Sequence, residues 1–163
     1  MHRAQAFGEI ARAIIDDNRY MTIGSADATG QPWVSPVYFA SAGYSAFYWV
    51  SSPEARHSTN ISVRPQISIV VFNSQASINT GQGVYMLAVA GELSGEPMKQ
   101  AIGIFSKRSQ RDGASAWAPA DVRAPAPYRL YRAAVREHWI LDPDGHPDRR
   151  IAVRISEYGG EST

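Results

Sequence analysis

An antiparallel β-barrel carrying a few helices is the fold this sequence predicts, and three observations predict it. Short runs rich in β-branched and aromatic residues recur along the chain, at 20–25, 32–39, 45–50, 66–72, 84–93, 128–141 and 149–155. Turn signals such as Asp27-Ala28-Thr29-Gly30 and Asp142-Pro143-Asp144-Gly145 lie between them. Helical periodicity is confined to a few segments. Six or seven antiparallel strands with so few helices favour a closed or nearly closed barrel, because closure removes exposed edges. The 163 residues match one domain, and a hydrophobic fraction of 44% allows a substantial core.

The elements follow in order. Phe7, Ile10, Ala11, Ile14 and Ile15 recur at i, i+3, i+4, i+7 and i+8, one apolar face of a helix over about 4–17. Strands at 20–25, 32–39 and 45–50, with turns at Asp27–Gly30 and Ser41-Ala42-Gly43, read as an antiparallel meander. The third strand breaks at Ser51-Ser52-Pro53. Ser52 fits an N-cap and Pro53 the first position of a short helix running to about Val63, before Arg64-Pro65. In the strand at 66–72, Ile67, Ile69 and Val71 share one face. Residues 73–83 form a polar loop. The strand at 84–93 is apolar on both faces, which predicts central burial. A helix over 96–106 presents Met98, Ala101, Ile102 and Phe105 on one side. Residues 107–127, rich in charge, Gly, Ala and Pro, are expected to form an irregular connection of the kind that can act as a lid. The long strand 128–141 is expected to bend near Val135, strand 149–155 closes the sheet, and 158–163 is expected to fray.

Composition narrows the function. With 16 basic and 15 acidic residues the chain has no field that recruits nucleic acid or an anionic membrane. Cysteine is absent, which removes disulfides, thiolate metal sites and cysteine nucleophiles. Residues 1–15 carry Arg3, Glu9 and Arg12 and no long apolar run, so a soluble cytoplasmic protein is expected. His2, His57, His138 and His146 form no metal-binding pattern, and no nucleophile elbow or phosphate loop is present. Gly81-Gln82-Gly83 reads as a loop entering a strand. Asp16-Asp17 and Asp142/Asp144 read as solvated turn carboxylates, and Trp33, Trp49, Trp117 and Trp139 as core or interface residues.

One corner stands out. The stretch from Trp49 to His57 delivers the Ser51 and Ser52 hydroxyls, a helix N-terminus, Arg56 and His57 to one place. A helix N-terminus offers free N–H groups and partial positive charge, and Arg56 adds a planar donor fork, so the corner suits a phosphate. An ordinary strand-to-helix turn with a solvated arginine accounts for the same residues.

The order of motifs resembles the pyridoxamine 5′-phosphate oxidase-like flavoproteins. Pro32-Trp33-Val34-Ser35-Pro36-Val37-Tyr38-Phe39 is similar to that family's "P-x-v-s-p-v-x-f" strand. Trp49 to His57 is similar to its "F-Y-T-N-x-x-S-R-K" segment, and Asn60 to Ser68 to its "N-L-x-x-N-P-x-V-S" run. The resemblance covers about 20–95, and more weakly 128–153. It implies a split β-barrel, a homodimer and FMN bound between the subunits, with a small-molecule substrate and flavin redox chemistry. Under the same resemblance Ser51 matches the family's threonine and Arg56 its phosphate-binding arginine. His57 stands in place of a lysine and Ala55 in place of a serine. Ser35, Pro36, Val37 and Tyr38 match the positions that border the flavin ring. Met86 falls where the family has a glutamine near the ring. The Arg-x-His segment of true pyridoxamine phosphate oxidases has no counterpart, which argues against pyridoxal phosphate synthesis. Trp139 is open to a place near the flavin or in the barrel core. Similar split barrels bind deazaflavin or haem, and others are non-enzymatic flavin-binding stress or sensor proteins. Those readings stay open at this point.

Overall fold

A computed structural model describes residues 2–143 and 149–155. Asp144, Gly145, His146 and the segment 158–163 lie outside the described residues. Helix α1 (His2–Asp17) precedes strands β1 (Tyr20–Ala26), β2 (Pro32–Tyr38), β3 (Ala40–Ala42) and β4 (Ala46–Ser51). Helix α2 (Arg56–Val63) leads to β5 (Gln66–Phe72) and β6 (Gly83–Glu92). Helix α3 (Gly95–Arg111), a 3-10 turn (Pro119–Val122), β7 (Arg129–Leu141) and β8 (Arg150–Val153) complete the order. All pairings are antiparallel, along the path β2-β1-β5-β6-β7-β4-β3, with β8 added to β7.

The first three expected strands do not form a meander. β1 and β2 pair along their full length, from Tyr20↔Tyr38 to Ala26↔Pro32, but β4 pairs with β3 and β7 instead of β2. The expected strand 32–39 ends at Tyr38, and a separate strand, β3, begins after Phe39, whose side chain is fully buried, in residues expected to turn. β2 and β3 are therefore consecutive in sequence yet lie at opposite ends of the sheet path. That geometry requires the sheet to curl until its ends meet, and it leaves β2 against β4 without pairing to it. This split positions the site described below. The turn after β3 falls two residues later than expected, at 43–45 between the paired Ala42 and Ala46. Gly43 and Tyr44 both take positive φ, 57° and 54°, and the Ser45 N–H closes the turn on the Ala42 carbonyl (3.4 Å).

The barrel interior holds Met21, Ile23, Val37, Phe39, Phe47, Trp49, Ile67, Ile69, Val71, Met86 and Ile140. α1 covers it with Ala11 and Ile15, the face that its periodicity marks. α3 packs Met98, Ala101, Ile102 and Phe105 against Ala40, Ala46, Tyr48 and Leu130 on the other side of β3, β4 and β7. β7 bends where expected: Leu87 pairs with Glu137 and Ala88 with Val135, so Arg136 is an inserted residue.

Three expectations change. β6 is central in the sheet, but of its side chains beyond Gly83 only Val84, Met86, Ala88 and Ala90 are buried. Leu87 is 49% exposed on the outer face, so apolar content on both faces did not mean burial on both. α3 continues to Arg111, taking the first residues of the expected irregular connection. The rest of that connection is tied down, with Trp117 N–H donating to Ser106 Oγ (2.8 Å) and Ser109 Oγ–H to the Ser115 carbonyl (2.7 Å). Trp139 is half-buried on the outer face beside Tyr85 and is not part of the barrel core.

Gly8 marks the tightest contact of α1. A Cβ there would lie 2.5 Å from the Arg154 carbonyl oxygen, backbone that cannot rotate away. Gly→Ala in a helix gains up to about 1 kcal/mol of propensity, whereas overpacking costs about 1–3 kcal/mol. The clash outweighs the gain in propensity, so Gly8→Ala is expected to lower the thermal midpoint. Gly103→Ala on α3, where a Cβ meets nothing within 4 Å, is expected to raise it.

Candidate cofactor-binding corner

β4 ends at Ser51, and the chain turns before entering α2. Ser52 does not cap the helix. Its carbonyl accepts the Ala55 N–H (3.1 Å) and its hydroxyl the Glu54 N–H (3.2 Å). Residues 52–55 form a β-turn with Pro53 at its second position, which suits proline as well as a first helical residue does. The helix therefore starts three residues later than the sequence suggests, with Ala55 at the N-cap.

That shift leaves the helix start open. Alanine has no side-chain acceptor, and the first helical bond runs from Thr59 N–H to the Ala55 carbonyl (3.0 Å). The N–H groups of Arg56, His57 and Ser58 consequently have no hydrogen-bond partner among the described residues. Uncapped donors at a helix N-terminus favour an anion.

Arg56 is exposed, and its guanidinium lies 4.5 Å from the Trp33 ring centroid. It makes no hydrogen bond or ion pair among the described residues, so the indole holds the fork in place without occupying its donors. Arg64 is engaged elsewhere, donating to the Asp27 carbonyl (3.2 Å) and the Ala28 carbonyl (3.4 Å). Asn60, fully buried, donates to Ser25 Oγ (3.0 Å) and ties α2 to β1.

His57 spans the split between β2 and β4. Its Nδ1 is 3.2 Å from Ser35 Oγ on β2 and its Nε2 is 2.8 Å from Ser51 Oγ on β4. Trp33 Nε1–H donates to the same Ser35 Oγ (3.0 Å). Of the residues the sequence singles out, Ser35, Ser51, Ser52, Arg56 and His57 meet at this corner. Val37 points into the barrel core, 7% exposed. Pro36 is exposed on the opposite face of β2. Tyr38 faces α3, donating to Asp112 Oδ2 (2.9 Å) and meeting Phe105 edge-on. The two-residue period of a strand makes that division unavoidable. Tyr38 and Val50 line a hollow of about 440 Å³ with Tyr20, Phe105, Trp117 and Tyr128. Met86, 1% exposed, is a core residue.

Trp33 is the site residue that sequence reasoning missed. It precedes Ser35 by two on the same strand face, and that spacing was the available signal. Among the described residues no cluster of three metal-ligating side chains occurs, and no helix is long and apolar enough to cross a membrane.

Burial holds the His57 imidazole below its ordinary value of 6.5. Burial does the same to His138, against the opposing effect of its bond to the Tyr44 carbonyl. For both, the unfolded chain binds the proton more tightly than the fold does. Stability from these groups is fully present above the unfolded value and falls as pH drops through it. The urea midpoint is expected to fall between about pH 7.5 and about pH 5.5, and to fall less steeply in a His57→Gln, His138→Gln variant.

Comparison with known proteins bears on the family and the fold. A family model described as pyridoxamine 5′-phosphate oxidase matches residues 7–142. No match was found among curated proteins. Among solved structures, the haem storage protein HutZ from Vibrio cholerae superposes with a TM-score of 0.63 at 22% identity, covering 78% of this chain and 88% of that one. A haem-binding protein from Mycobacterium smegmatis gives 0.67 at 19%, covering 90% and 57%. An F420 reductase gives 0.58 at 13%, covering 78% and 94%. At these identities the likeness is one of fold.

Proposed function

The chain belongs to the pyridoxamine 5′-phosphate oxidase family, and on that premise we propose that it is an FMN-dependent oxidoreductase acting on a small-molecule substrate as a homodimer. The observation that carries this reading is the uncapped start of α2, with the unoccupied Arg56 fork beside it. Three free N–H groups, a guanidinium and the Ser51 hydroxyl lie within residues 51–58, joined through His57, Ser35 and Trp33, and that donor set fits a phosphate ester.

In this reading the N–H groups of Arg56, His57 and Ser58, the Arg56 guanidinium and the Ser51 hydroxyl would hold the phosphate. Residues of β2, whose outer edge is unpaired because β2 ends the sheet path, would border the ring. Free backbone groups on such an edge can meet the polar rim of a flavin, and the hollow beyond Tyr38 and Val50 offers aromatic walls to a substrate. When bound, the flavin supplies the redox chemistry. The protein binds it, orients it and excludes water.

The described histidines give the haem alternative less support. Both nitrogens of His57 are engaged, and His138 Nε2 lies 2.7 Å from the Tyr44 carbonyl. The commitment of Arg64 to the β1–β2 turn removes a cation that a long deazaflavin tail would use. The dimer is supported by the apolar side chains on the outer face of the sheet, where Val34 is 68%, Leu87 49% and Phe72 47% exposed, since grouped exposed apolar side chains favour a covering surface. Light scattering that returned a monomer mass would overturn the dimer. Absorbance of the purified protein, with mass spectrometry of the released ligand, tests the cofactor. Flavin bands and FMN are expected, and a Soret band or a deazaflavin mass would replace the proposal.

A further inference from the structure

We propose that Trp33 and Ser35 act through His57 to present Ser51 as a hydrogen-bond donor, so that the corner selects a fully ionised phosphate ester. The inference rests on the phosphate reading above and concerns the direction of every hydrogen bond behind it.

Donor and acceptor chemistry fixes that direction. Indole N–H can only donate, so Ser35 Oγ accepts from Trp33. Ser35 has one proton left to place, and its hydroxyl makes no contact among the described residues other than those with Trp33 and His57 Nδ1. If Ser35 donates to Nδ1, the neutral imidazole carries its proton on Nε2 and donates it to Ser51 Oγ. The Ser51 proton then points to the open side of the corner. If the ring is reversed, Nδ1–H donates to Ser35, and Ser51 spends its proton on Nε2. The Ser35 proton is then stranded at a residue only 9% exposed. A buried orphan costs more than one at the half-buried Ser51, where solvent or ligand can accept it. Burial of His57 favours the neutral ring that the first arrangement needs.

The chemical consequence is selectivity. A hydroxyl held as a donor rewards an oxygen with no proton of its own, as do the three helix N–H groups and Arg56. The Asp27 carboxylate, which feels the Arg56 charge, already accepts from Thr29 and Gln31 through Oδ1, and a corner built mainly of donors rewards an unprotonated phosphate oxygen over a protonated one. Trp33 and Ser35 are positioning residues, since neither needs to touch the phosphate.

The test starts with the protein free of flavin. Nitrogen NMR of histidine-labelled protein, assigned with His57→Gln, reads the tautomer directly. Protonated Nε2 with acceptor-type Nδ1 is expected at neutral pH. The opposite tautomer, or averaging between the two, overturns the proposal whether or not FMN binds. Ser35→Ala should abolish the single-tautomer signature, and Ser35→Thr, which keeps the hydroxyl, should restore it. Trp33→Phe, which keeps an aromatic face under Arg56, should produce mixed tautomers. With FMN and riboflavin as probes, Ser35→Ala should weaken FMN about tenfold, the effect of about one charge-assisted hydrogen bond, and leave riboflavin unchanged. Equal losses for both ligands would assign Ser35 a purely structural role. Absence of FMN binding in the parent, alongside the expected tautomer, would count against the cofactor reading while leaving the relay intact.

Discussion

Replacing Arg56 by alanine is expected to weaken FMN binding by about one to two orders of magnitude without unfolding the protein. Each charge-assisted hydrogen bond contributes about 1.5–3 kcal/mol in favourable geometry, and about 1.4 kcal/mol is tenfold in affinity. The guanidinium makes no hydrogen bond or ion pair among the described residues; it touches the face of Trp33 and acts weakly, through its charge, on the exposed Asp27, so the loss falls mainly on the ligand. Arg56→Lys should recover only part, because a point charge cannot reproduce two parallel N–H bonds. Arg136→Ala, at the exposed bulge of β7, is the matched control and should leave affinity unchanged. Fluorescence titration of the three variants against the parent supplies the comparison.

The largest expected loss of stability belongs to Trp49. It is fully buried, the largest such side chain in the core, and stacks on Tyr131 with centroids 5.6 Å apart and planes 17° apart. Truncating a buried tryptophan to alanine costs about 3–5 kcal/mol, a large share of the roughly 5–15 kcal/mol that holds a domain together. Trp49→Ala should therefore be marginally folded or unfolded at room temperature. Trp49→Phe should fare much better. The indole Nε1 has no hydrogen-bond partner among the described residues, and a buried donor left unmade costs about 1–3 kcal/mol that phenylalanine does not incur. Urea unfolding of the two variants decides the matter. If Phe proves as damaging as Ala, the orphaned N–H is not a burden on the native state.

Much of the strand pattern was legible because a half-buried strand writes its period into the sequence. Ile67, Ile69 and Val71, and the α1 face of Ala11 and Ile15, point where their spacing says they should. The pairing was less legible. Nothing local to 32–39 shows that Phe39 ends one pairing and begins another, because that break serves contacts made by residues far along the chain. The corner was legible in its residues but not in its start point. Ser52 and Pro53 suit a β-turn and a helix cap equally well, and tertiary packing chose the turn. The outer face of β6 misled for a related reason: Tyr85 and Leu87 are apolar on the face turned away from the barrel core, and apolar content alone does not tell an outer face from a buried one. Trp33 carried no motif of its own, and its role emerges only once β2 is placed beside α2.

The most direct measurement is the affinity of the parent protein for FMN against riboflavin, which differ only in the phosphate. The account predicts that FMN binds at least about tenfold more tightly and that Arg56→Ala narrows the gap by weakening FMN and not riboflavin. Equal affinities in the parent, or a gap that Arg56→Ala leaves unchanged, would contradict a phosphate held at the start of α2 beside Arg56.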